Sequence, residues 1–96
     1  MTDVLHSVRG QGGLPRWFAA VFDVASRIER GALSFALPDG RVFRAQGVHP
    51  GPEGVVEVRD ASVFARLIRD GETGFAEAYM DGAWDSPDLQ AVLDVA

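Results

Sequence analysis

The stretch Ala32–Gly47, ALSFALPDGRVFRAQG, decides the fold class. Leu33, Phe35 and Leu37 alternate with Ala32, Ser34 and Ala36, the period-two pattern of a strand with one buried face. Pro38-Asp39-Gly40 is turn chemistry: proline presets φ, aspartate bonds nearby backbone and glycine accepts positive φ. The return strand runs from Arg41 to Gln46, with Val42 and Arg44 on one face and Arg41, Phe43 and Ala45 on the other. Together they predict a hairpin. The following segment, GVHPGPEG at 47–54, is rich in glycine and proline and is predicted irregular, with His49 as a loop residue. VVEVR at 55–59 is a third strand. No crossover helix separates these strands, so antiparallel order is expected.

Helical patterns flank the strands. In LPRWFAAVFDVASRIERG, at 14–31, Phe18, Val21, Phe22, Ala25 and Ile28 recur at the three-and-four spacing of one buried face. Pro15 suits a first turn and Gly31 a stop. Trp17 and Val24 widen the apolar stripe, which predicts cover on more than one side. After the strands, Asp60 is a good N-cap for ASVFARLIRD, with Val63, Phe64, Leu67 and Ile68 inward and Gly71 as the stop. Thr73 is placed to cap GFAEAYMD, which Gly82 ends. Ser86-Pro87-Asp88 opens a last helix, with Ser86 as cap, Pro87 in the first position and Leu89, Val92 and Leu93 as the apolar face. That helix has no stop signal before Ala96, and a longer parent protein is expected. The expected architecture is α+β: a small antiparallel sheet of about three strands packed on an N-terminal helix and a C-terminal segment of three short helices. Residues 15–96 form this single domain and residues 1–14, without a sustained period, a flexible tail. Gly10-x-Gly12 is not a dinucleotide loop, because no strand precedes it and Pro15 stands where a third glycine belongs.

The bulk numbers narrow the function classes. The chain has 96 residues, one small domain's worth, with 47% hydrophobic and 24% charged residues. There is no cysteine, hence no disulfide frame, thiolate nucleophile or cysteine metal site. No apolar run approaches the ~20 residues of a membrane span, and MTDVLHSVRGQGGLPR lacks the apolar core of a secretory signal, so a cytoplasmic address is expected. The net charge of −5 is unevenly placed: from Asp70 to Ala96 there are seven acids and no base. That segment repels nucleic acid and anionic lipid surfaces and would attract a basic partner surface.

No catalytic constellation assembles from the sequence. Glu77 and Asp81, four apart, share a helical face, but no His or Lys lies near them. A structural role is expected for Asp81, bonding backbone N–H groups at the Gly82 corner or at the start of the last helix. Tyr79 and Trp84 flank that corner, and their rings are expected inside, clamping one helix on the next; the alternative is a wall that stacks a ligand. Phe75 lies four before Tyr79, which favours core; Met80 points elsewhere, to fill a gap or meet a partner. His6 and His49 are too far apart in sequence to suggest a metal site, and Ser7, Ser26 and Ser34 sit in no nucleophile-elbow context.

The segment LIRDGETGFAEAYMDGAWDSPDL, at 67–89, resembles the N-terminal domain of cyclopropane-fatty-acyl-phospholipid synthases and related S-adenosylmethionine-dependent lipid methyltransferases. The positions that carry the resemblance are Gly71, Gly74, Glu77, Tyr79, Met80, Asp81, Gly82, Trp84, Asp88 and Leu89. The upstream strand pair is similar too, but generic, and would also match sterol-carrier-like lipid-binding modules. The resemblance implies an accessory domain with no catalytic, cofactor-binding or metal-binding residue of its own. S-adenosylmethionine would belong to the parent protein, in a downstream α/β methyltransferase domain. The implied roles are to present phospholipid acyl chains, to hold the catalytic domain or to support a homodimer. The alternative is a free-standing lipid-binding or interaction module.

Overall fold

The computed structural model describes residues 4–95. Its elements, in chain order, are β1 (Val4–Leu5), α1 (Phe18–Ala25), β2 (Arg30–Ala36), β3 (Val42–Gln46), β4 (His49–Val58), α2 (Ser62–Met80), β5 (Trp84–Asp85) and α3 (Leu89–Val95). The fold is α+β, with a mixed sheet of five strands in the order β1-β3-β2-β4-β5 where about three antiparallel strands were expected.

The hairpin forms as its turn chemistry predicts. Phe35 pairs with Phe43 and Leu33 with Ala45 across β2 and β3. The turn closes by Leu37 N–H to Arg41 C=O at 2.8 Å and Gly40 N–H to Leu37 C=O at 3.0 Å. The Asp39 carboxylate accepts from the Arg41 side chain and backbone, which holds its pKa below the ordinary carboxylate value.

The strand order departs from the expectation at β4, which pairs with β2 in parallel. The chain leaves β3, steps across the start of β2 and returns on its far side. It stays antiparallel to β3 and so becomes parallel to β2. The step is tight: Gly47 N–H bonds Gly31 C=O at 2.8 Å, and His49 N–H bonds Glu29 C=O at 3.0 Å. The segment predicted irregular is therefore strand from His49 onward. Its prolines, Pro50 and Pro52, lie where β4 has not yet met β5, which pairs only at Glu57 and Val58. Gly31 is no helix stop. It sits within β2 with φ 80°, and a Cβ there would lie 2.1 Å from the Pro52 carbonyl oxygen.

The supposed tail is tied to the sheet. Val4–Leu5 pairs in parallel with β3, Val8 and Leu14 pack on the core, and the Arg41 guanidinium donates to Gly12 C=O at 2.8 Å and Gly13 C=O at 3.2 Å. The first three residues of the expected tail lie outside the described residues.

One sheet face carries the core: Phe35 and Leu37, Phe43 and Ala45, Val56 and Val58. Phe18, Phe22 and Phe64 descend on it from α1 and α2, and Phe18 is the hub, with ring centroids 4.9 Å from Phe64, 5.0 Å from Phe43 and 5.7 Å from Phe35. Rings at these distances and tilts contribute beyond the area they bury. The opposite face is small and polar, with Ala32 and Ser34 beneath an Arg44–Glu53 ion pair. Among the described residues no buried side-chain polar atom lacks a hydrogen-bond partner.

Helix α1 is shorter than predicted at both ends. Trp17 adopts a left-handed φ of 72°, so regular helix begins at Phe18 and not at Pro15. At the other end Arg27 N–H and Ile28 N–H reach back only three residues, the tightening that closes a helix. Trp17 and Val24, expected under cover, are 44% and 62% exposed.

Helix α2 is two helices joined at Gly71, whose φ of 61° and ψ of −138° break the backbone where the sequence predicted a stop. Arg66 and Asp81 are fifteen residues apart, about 22 Å along a straight helix. Their ion pair of 2.7 Å shows that the second half folds back beside the first. Gly74 permits this, since a Cβ there would lie 2.2 Å from Arg66 C=O. Asp60 caps the first half, accepting from Ser62 N–H at 2.9 Å, and that bond lowers its pKa. No side-chain cap bond from Thr73 forms.

Candidate functional site

The corner at 77–89 is a built structure. Gly82, at φ 79°, lets Ala83 N–H reach Ala78 C=O at 2.8 Å and Gly82 N–H reach Tyr79 C=O at 3.0 Å, the paired bonds of a Schellman stop. Ala83 C=O then accepts from Arg59 N–H and Asp60 N–H, tying the corner to the end of β4. Trp84 is 2% exposed; its Nε1–H donates to Phe75 C=O at 2.9 Å, and its ring stacks on Phe75 at 4.2 Å. The expected burial of the indole holds. Tyr79 departs from the expectation: its ring lies 5.0 Å from Trp84 but the residue is 37% exposed, because the indole has taken the inner position.

The carboxylates do not converge on a reactive centre. Asp81 bonds the Arg66 guanidinium and not the backbone N–H groups expected for it, since the folded-back α2 brings that cation to it first. Glu77 is exposed, and no ion pair holds it among the described residues. Asp88, not Ser86, caps α3: its Oδ1 accepts from Ala91 N–H at 3.1 Å, while the Ser86 hydroxyl accepts from Asp88 N–H at 3.2 Å. Pro87 therefore precedes the helix. Leu89 packs on the core, Leu93 is 56% exposed against expectation, and Met80 is 76% exposed.

Behind Phe75 the structure opens. A cleft of about 480 Å³ lies between the helices and the sheet. Its floor is Leu33 and Phe35 of β2. One wall is Val21, Val24, Ala25 and Ile28, from α1 and the turn after it; a second is Leu67, Ile68, Glu72 and Phe75 around the Gly71 kink; Val92 and Val95 of α3 form the third. Two local contacts position these walls. The stacked indole of Trp84 backs Phe75. Opposite, α3 lies so close on β4 that a Cβ at Gly54 would be 2.8 Å from the Cα of Val92, which fixes Val92 at the cleft rather than Leu93. The volume and the apolar lining are those of small-ligand sites, and the lining has one ionisable member, Glu72.

Sequence reasoning placed most of these residues in a core, and a sheet–helix cleft entered only with the lipid-binding expectation, without its lining residues. The available signals were Val24 and Ile68, apolar residues on helix sides that the sheet does not cover; Ile68 is 47% exposed at the rim. A second, shallower hollow of about 350 Å³ sits at the β3–β4 crossing, lined by His49, Arg44 and Glu53 among others. Among the described residues no helix is long and apolar enough to cross a membrane, and no group of three or more His, Cys, Asp or Glu side chains could hold a metal ion. No family model matches the chain, and neither the curated proteins nor the solved structures yield a match.

Proposed function

We propose that this chain is a non-catalytic, lipid-presenting accessory domain of the cyclopropane-fatty-acid-synthase-like methyltransferase type. It receives an acyl chain in the cleft between the helices and the sheet. The observation that carries the reading is the cleft itself: eleven of its twelve lining residues are apolar, and they leave about 480 Å³ open. Each methylene taken into such a space from water contributes about 0.8 kcal/mol, so a chain of several methylenes gains enough to offset the ordering that binding requires.

The family part of the reading rests on the resemblance at 67–89. In this reading the motif's glycines, Trp84 and Asp88 build the corner that sets the cleft wall. Glu77, Tyr79 and Met80, which point outward, meet the catalytic domain. That domain would hold S-adenosylmethionine and carry out methyl transfer to the acyl double bond.

The test is a titration of isotope-labelled protein with a monounsaturated lysolipid below its micelle threshold. Shifts should concentrate in 18–28, β2 and the Gly71 kink. Shifts confined to residues 4–14 and the β3–β4 crossing would remove the acyl-binding role. Separately, calorimetric titration should show no S-adenosylmethionine binding, and a micromolar affinity would overturn the accessory assignment.

A further inference from the structure

We infer that the cleft grades its ligands by head charge: an alkyl chain ending in an ammonium group binds best, and the same chain ending in an anion binds worst. This rests on the acyl-chain reading of the cleft and adds the chemistry of the chain's polar end.

Glu72 is the only ionisable residue in the lining, and it stands one residue past the Gly71 kink. No ion pair engages it among the described residues, the lining holds no guanidinium, and three arginines close to lining residues in sequence are already matched. Arg69 is paired with Asp70 at 2.9 Å, Arg27 with Asp23 at 3.0 Å and Arg66 with Asp81 at 2.7 Å. Each of these pairs is neutral as a unit. Helix α3, which forms the third wall, brings Asp94 and no cation. Within the lining, Glu72 is therefore an uncompensated negative charge.

An alkyl chain seated on Leu33 and Phe35 has its polar end beside this charge. An ammonium there gains the Glu72 carboxylate as a partner. A carboxylate, sulfate or phosphate there meets a like charge with no free guanidinium in the lining to offset it. The exposed setting of Glu72 keeps the effect modest, about two- to fivefold in affinity per unit of head charge at low ionic strength.

The experiment compares decyltrimethylammonium, decylphosphocholine and decyl sulfate, below their micelle thresholds, on the whole chain. These share one chain and carry heads of net charge about +1, 0 and −1 at neutral pH. Affinity is read from the methyl resonances of Leu67 and Val92, with the Trp84 indole N–H as the check that the fold persists. The expected order is ammonium, then phosphocholine, then sulfate, with the spread reduced in Glu72→Gln and in 0.5 M salt (about a 4 Å screening length). The phosphocholine arm separates a simple cation from a zwitterionic lipid head. Equal affinities, a tighter sulfate, or an order unchanged in Glu72→Gln would overturn the charge inference while leaving the cleft reading intact. If no probe moves those methyl resonances, the cleft reading itself fails.

Discussion

One side of α1 faces a filled core, and another faces an open cleft. Phe18 and Phe22 send rings onto Phe35, Phe43 and Phe64, and Phe18 is wholly buried. Val21 and Ala25 of the same helix, with Ile28 in the turn after it, line the cleft opposite Leu67 and Val92. The two regions share a helix, a sheet and an apolar character. They differ in side-chain volume, and in the contacts that position the walls of the second. Trp84 backs Phe75 on one side, and the Gly54 approach seats α3 on the other. Interiors ordinarily close to crystal-like density, and the proposed acyl-binding role rests on the cleft beside this one staying open.

Substitutions can break this contrast. The largest losses belong to the filled region and to the cleft's backing. Phe18→Ala should lose about 3–5 kcal/mol in denaturant unfolding. Trp84→Ala should lose a similar amount, about 3–5 kcal/mol, and should also weaken chain binding because Phe75 loses its support. A loss under about 1 kcal/mol for Trp84→Ala would mean that the indole does not hold the corner. Next come the overpacking pairs. Ala45→Leu, under the rings, should cost about 1–3 kcal/mol, and Gly54→Ala, against Val92, about the same. Ala25→Leu projects into the cleft and should cost less stability than Ala45→Leu while weakening chain binding. Equal penalties at Ala45 and Ala25 would erase the contrast.

The smallest effects belong to the rim and to pH. Val24→Ala and Ile68→Ala should leave stability within about 0.5 kcal/mol and lower chain affinity a few-fold. Asp39 and Asp60 both have folded-state pKa values held below their unfolded ones, by the Arg41 side chain and the Ser62 backbone N–H respectively. Their contribution is present above the unfolded carboxylate value and is lost as pH falls below about 4 through the folded values. An acid titration of stability should show this loss diminished in Asp60→Asn, and an unchanged profile would remove the cap from the account.

Legibility in the sequence followed the range of the interactions. The β2–β3 hairpin is local, written by Pro38-Asp39-Gly40 and an alternating pattern, and it formed as read. The Gly71 break and the Gly82 stop are also local, and both lie where the glycines put them. Val4–Leu5 and Trp84–Asp85 are too short to show any period, so two of the five strands were invisible. The parallel pairing of β2 with β4 depends on which side of the hairpin the chain returns to, and no residue type announces that. Around the corner, neither the ion pair of Asp81 with Arg66 nor the half-exposed ring of Tyr79 could be foreseen before α2 was known to fold back on itself. The cleft is the least legible feature, because its lining is drawn from four elements and each contributes residues that look like ordinary core. Only Val24 and Ile68, apolar where no partner is required, hinted at it.

The central claim is that a single alkyl chain enters the cleft, resting on Leu33 and Phe35, and does not reach Phe18 or Phe43. The most direct measurement is isotope-filtered NOE spectroscopy on the decyltrimethylammonium complex. The account predicts contacts from the alkyl chain to the side chains of Val21, Leu33, Leu67, Phe75 and Val92, with none to Phe18 or Phe43. Contacts confined to Val48, Met80 or the outer face of Trp17, or none at saturation, would contradict it.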